Sequence, residues 1–111
     1  MSKLDEKIAF YKNEMKNLGL DCKSDLLRAV TKGLGPSIHK VDAETVSGSD
    51  QNELATVKNN FLIKKLGLSD GPALDNAISN VIDKMGRSNR KKYRAIFYYL
   101  LVLEFNLESK F

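Results

Sequence analysis

The chain has 111 residues, 42% hydrophobic and 29% charged, with a formal net charge of +4. That is length for one domain with its own core, and the composition is too apolar for wholesale disorder. The single cysteine, Cys22, and single histidine, His39, exclude an intramolecular disulfide and any thiolate- or imidazole-rich metal centre.

Hydrophobic periodicity predicts an all-α fold, a compact bundle of about five helices forming one domain over residues 1–111. In the first helix Leu4, Ile8, Tyr11, Met15 and Leu18 share one stripe, with Ser2 as its cap. Gly19 fits the left-handed position past the helix end, and Leu20 folds back onto it. Ser24 is the expected cap of a short second helix facing the core with Leu26, Leu27, Val30 and Leu34. Gly35-Pro36 can open a further turn or two of helix, and the rest through Ser47-Gly48-Ser49 reads as a polar loop.

Asp50 followed by Glu53 resembles a capping box for a third helix, which Leu66-Gly67-Leu68 ends. Pro72 opens the fourth, where Leu74, Ala77, Ile78, Val81, Ile82 and Met85 fall on one face; Gly86 closes it. Ser88 or Asn89 is the expected cap of the fifth helix. From Ala95 to Leu103 that helix is apolar nearly all round, which predicts a central place in the bundle. The same stretch is about half the roughly 20 residues a membrane-spanning helix needs, so no membrane partner is expected. The charged N-terminus does not read as a signal peptide, and a lone cysteine suits a reducing compartment; the expected address is cytoplasmic.

A weak repeat at an offset of 48 residues pairs Leu18-Gly19-Leu20 with Leu66-Gly67-Leu68, Leu26 with Leu74, and Ala29-Val30 with Ala77-Ile78. Two helical hairpins with the same Gly-Leu stop account for it, as does duplication. Met15 and Ile63, four residues before each turn glycine, are too large for the close helix crossing of a helix-turn-helix.

Lys58-Asn59-Asn60-Phe61-Leu62-Ile63-Lys64-Lys65-Leu66-Gly67-Leu68, Lys84-Met85-Gly86 and Tyr93-Arg94-Ala95-Ile96-Phe97-Tyr98-Tyr99-Leu100-Leu101 carry a likeness that runs over almost the whole chain. With these strings the sequence resembles a family of short bacterial proteins known only as a domain of unknown function. The resemblance implies a bacterial, helical, single-domain protein. It implies no activity and carries over no functional residue.

Nothing in the pattern builds an enzyme site, a cofactor site or a metal site. Cys22 and His39 belong to different segments, so no thiol–imidazole pair is predicted. Lys32-Gly33-Leu34-Gly35-Pro36-Ser37 lacks both the last glycine of a dinucleotide loop and the Gly-Lys-Ser/Thr of a P-loop. Asp42, Glu44 and Glu53 have calcium-loop spacing, but Val46 stands where an oxygen ligand is required and Gly48 comes one place late.

Two surfaces remain as binding candidates. Residues 1–50 balance in charge, whereas residues 58–94 carry nine basic side chains against three acidic ones. The candidate anion-binding residues there are Lys64, Lys65, Arg87, Arg90, Lys91, Lys92 and Arg94. Their run at 90–92 is expected in the first turn of the fifth helix, where each cation costs on the order of a few tenths of a kcal/mol against the helix dipole. A bound phosphate, or a nucleic acid with phosphates in series, would offset that cost; equally, the lysines and arginines can simply solvate the end of a very apolar helix. The second surface is aromatic: Phe10, Tyr98 and Tyr99 are candidates for contact with a protein partner or a second copy, unless the bundle wraps the fifth helix completely and Phe10 only pads an edge. The short basic run and low net charge favour the protein-interaction or self-associating module over the anion or nucleic-acid binder.

Overall fold

The computed structural model describes residues 3–35, 44–89 and 92–110. Ser2, Pro36, His39, Asp42, Arg90 and Lys91 lie outside the described residues, and with them the expected first cap and the helical turn after Gly35.

Helix α1 (Lys3–Asn17) buries Ile8, Tyr11 and Met15 and half-buries Leu4 and Leu18. It stops as its sequence predicts. Gly19 has φ 74°, its N–H donates to the Lys16 carbonyl at 3.0 Å, and the Leu20 N–H donates to the Met15 carbonyl at 2.9 Å. These are the paired bonds of a Schellman stop, which a glycine makes without steric cost. Helix α2 (Ser24–Gly33) departs from expectation at its start: Ser24 is the first helical residue, and Lys23 holds the cap position without a capping side chain. The Lys23 N–H instead donates to Tyr99 Oη at 2.8 Å, so a core tyrosine from another helix satisfies an end that Ser24 does not.

Helix α3 begins as an α-helix (Gln51–Thr56) and runs on unbroken as a π-helix (Val57–Lys65). Asp50 Oδ1 accepts the N–H groups of Asn52 at 2.9 Å and Glu53 at 3.3 Å. Only this half of the capping box forms, because the Glu53 carboxylate is taken by Arg94 Nη2 at 2.5 Å. The π segment follows from its apolar spacing. Val57, Phe61, Leu62 and Leu66 recur four to five apart, and the wider turn brings all of them into the core. Its stop is wider too: around Gly67, at φ 72°, the Leu68 N–H reaches the Leu62 carbonyl, one residue further back than at Gly19.

Helix α4 (Pro72–Met85) buries the six apolar residues of its predicted face and leaves Asp75, Asn76, Asn80 and Asp83 exposed. Helix α5 (Arg94–Glu104) is buried continuously from Ala95 to Val102 and packs against α1, α2 and α4, the central position its composition predicts. A short 3₁₀ turn (Glu108–Lys110) follows.

The start of α5 corrects the sequence reading. Neither Ser88 nor Asn89 caps it; Tyr93, in an extended conformation, precedes Arg94. The Val46 N–H donates to the Lys92 carbonyl at 2.7 Å, and Thr45 and Tyr93 form an isolated antiparallel bridge. Pairing with the 45–46 segment holds residues 92–93 extended and delays the helix, so the basic run precedes α5 instead of filling its first turn. That bridge is the only β-type pairing among the described residues, which are all-α in five helices.

Candidate functional site

Val46 is the apolar residue of an otherwise polar segment, and at 1% exposure it anchors that segment in the core. Beyond it, the turn at Ser47-Gly48-Ser49 stands opposite a second turn that follows α4. There Gly86, at φ 93°, ends the helix, and the Asn89 N–H and side-chain amide donate to the carbonyls of Gly86 and Met85 at 3.0 and 3.1 Å. Between the turns lies a cleft of about 670 Å³, walled by Val46, Gly48, Glu53, Arg87, Asn89 and Lys92, with Ser47, Ser49 and Ser88 also lining it.

Lys92 is the unusual member. It is 2% exposed, where lysine is almost never fully buried without a partner. Its Nζ donates to the Arg87 carbonyl at 3.3 Å and, through a very short contact, to the Asn89 carbonyl. Gly48 makes room for it: a Cβ there would lie 3.2 Å from Lys92 Cε. No carboxylate pairs with Lys92 among the described residues. Burial, and then the nearby Arg87 charge, push its ammonium below the ordinary lysine range.

The other charges of the cleft arrive with partners. Arg87 is held by Asp83, Nε to Oδ1 at 2.5 Å, and by Ser79, Nη2 to Oγ at 2.8 Å. Glu53 is neutralised by Arg94, whose Nη1 also donates to Tyr98 Oη at 3.0 Å. The cleft therefore carries a positive charge at Lys92 that no carboxylate among the described residues cancels, with hydroxyl donors close by.

Of the seven predicted anion-binding residues, the structure brings Arg87 and Lys92 to this cleft and sets Arg94 behind its Glu53 wall. Lys64 and Lys65 are exposed in the last turn of α3, where the helix dipole favours cations, and Lys65 borders a separate small groove beside Tyr98. Arg90 and Lys91 lie outside the described residues. The described cations thus do not form one continuous patch.

The aromatic surface is corrected in two of its three members. Tyr98 and Tyr99 are 6% and 1% exposed, because α5 is packed on several sides and each hydroxyl finds a partner within the chain. Tyr98 also stacks on Phe61, centroids 4.0 Å apart. Phe10 alone of the three stays accessible, at 40%, edge-on to Tyr93 at 5.1 Å and with Lys7 Nζ 5.9 Å from its ring centre. Beside it Glu44 Oε2 accepts from Lys7 Nζ at 2.6 Å and Tyr11 Oη at 2.7 Å, and burial together with this carboxylate raises the Tyr11 hydroxyl far above its usual range. Glu44 and Glu53, two carboxylates with calcium-loop spacing, are thereby committed to Lys7, Tyr11 and Arg94. Cys22 is half-buried, and burial raises its thiol, the opposite of an activated nucleophile.

Sequence reading found Arg87 and Lys92 but not the segment facing them. The available signal was Val46 alone among polar residues, followed by a glycine between two serines. No helix among the described residues is long and apolar enough to cross a membrane. No curated protein matches the chain. The family model described as "Protein of unknown function (DUF2853)" matches residues 10–109, and the chain belongs to that family.

Proposed function

We propose that the protein is a non-enzymatic binding module that takes an oxyanion of the phosphate class in the cleft beside Lys92. One observation carries the reading: a buried lysine borders an open cleft, its ammonium held by carbonyl oxygens and balanced by no carboxylate among the described residues. A doubly charged oxyanion placed there would recover Coulomb energy at reduced dielectric, and hydroxyl and guanidinium donors are at hand to complete its shell. A nucleic acid fits less well. Its phosphates come in series, whereas two of the predicted cations share this cleft and Lys65 faces a different groove.

A protein-interaction or self-associating role keeps one supporting observation, exposed Phe10 beside Lys7. With Tyr98 and Tyr99 in the core it has lost most of its aromatic surface, so it stands second. The resemblance and the single thiol support a bacterial cytoplasmic setting.

Thermal unfolding in sodium phosphate, against sodium chloride of matched ionic strength, tests the anion reading. The wild type should gain about 1.4 kcal/mol at roughly tenfold the Kd, with a corresponding rise in Tm. Lys92→Met should lose the gain, and Arg87→Gln, altered at an exposed side chain, should reduce it while keeping the fold. Equal Tm in both salts at every concentration would refute the reading.

A further inference from the structure

Glu53 is the single acidic residue among the described residues that line the cleft beside Lys92. Asp50 caps the first turn of α3 and so fixes where that turn presents Glu53. Arg94 reaches it from behind, Nη2 to Oε1 at 2.5 Å, and turns its Nη1 to Tyr98. Glu53 Oε2 accepts no hydrogen bond among the described residues. Two effects follow, and they have different ranges. The guanidinium cancels the carboxylate's charge, so Glu53 does not expel an anion from the cleft. At contact, however, an ionised carboxylate is acceptor-only, and the remaining lone pairs of Oε2 can be met only by a proton. The other groups around the cleft include donors: the Lys92 ammonium, the Arg87 guanidinium and the hydroxyls of Ser47, Ser49 and Ser88.

From this arrangement we infer that Glu53 makes the cleft selective for an oxyanion that brings its own proton, inorganic hydrogenphosphate, over dianions of similar charge that carry none. This rests on the oxyanion reading and adds the specificity of the site. A P–O–H group against Oε2 forms a charge-assisted hydrogen bond, whereas a bare oxyanion oxygen there sets lone pair against lone pair. Sulfate matches hydrogenphosphate in shape and charge and has no proton to give. A phosphate monoester, whose second pKa is about 6, has lost its proton at about pH 8, where the inorganic dianion still holds one.

The test is titration calorimetry on the full chain at about pH 8 and constant ionic strength, with sodium phosphate, sodium sulfate and methyl phosphate. Phosphate should bind the wild type about ten- to a hundredfold more tightly than either of the others, the range of one hydrogen bond to a charged group. Glu53→Gln leaves an oxygen for Arg94 and offers the cleft an N–H donor, so it should bring sulfate and methyl phosphate up to the level of phosphate. If all three bind the wild type equally, the selectivity is refuted and the oxyanion site stands. If none binds, both fall. A folded Glu53→Gln that keeps the wild-type preference overturns the assignment to Glu53, and the wild-type comparison decides alone if that variant does not fold.

Discussion

An ammonium group taken out of water is costly unless other atoms replace its hydration, and Lys92 does this with the carbonyls of Arg87 and Asn89. The replacement is incomplete, since its pKa falls below the ordinary value. Between that lowered pKa and about 10.4 the unfolded chain holds more protons at this site than the folded one, so the lysine's contribution to stability rises with pH across the window. Tyr11, Tyr93 and Tyr99, with raised hydroxyls, act oppositely above about pH 10, where the unfolded tyrosines ionise first. Urea unfolding followed from about pH 7 to about pH 10.4 should therefore show wild type gaining stability relative to Lys92→Met as pH rises through that window. A difference that stays flat or shrinks would mean that Lys92 is as well solvated as a surface lysine. Sequence alone named Lys92 but gave it the wrong surroundings. Residue type says lysine is exposed, and what buries it is tertiary: two carbonyls of the preceding turn and a glycine about 40 residues upstream, at position 48.

At the scale of elements, legibility followed how local the signal was. The stops at Gly19 and Gly67, the Pro72 start and the buried face of α4 each depend on residues within a turn or two, and all were readable. The start of α5 was not, because it is set by pairing with residues 45–46 across the fold. The π segment was missed for a different reason: spacings of four and five were read on a template of 3.6 residues per turn. Asp50→Ala should remove both bonds to the first turn of α3 and cost about 0.5–2 kcal/mol in chemical denaturation. Gly19→Ala should cost about 1 kcal/mol, purely through the left-handed backbone, since a Cβ there meets nothing within 4 Å. A neutral outcome at Gly19 would mean that the turn relaxes to another conformation. A loss far above the Asp50 range would mean that the cap also organises the cleft's 47–49 turn.

The whole molecule hangs on α5, whose side chains from Ala95 to Val102 meet three other helices. Leu100→Ala should cost about 2–5 kcal/mol, because Leu100 is 4% exposed and a cavity would replace it. A loss below about 1 kcal/mol would contradict a central α5. The ordering of α5 also builds the cleft: its N-terminal approach carries Lys92 past the 45–49 segment, α4 delivers Arg87, and α3 delivers Glu53. The proposed site is thus a property of three converging elements, which is why no single stretch of sequence displayed it. The decisive measurement is an amide chemical-shift titration of the wild-type protein with inorganic phosphate at constant ionic strength. Saturable shifts concentrated at residues 46–49, 87–89 and 92, and absent in Lys92→Met, are the predicted result. Shifts that fail to saturate, or that map to Lys64 and Lys65 or to Phe10 instead, would contradict it.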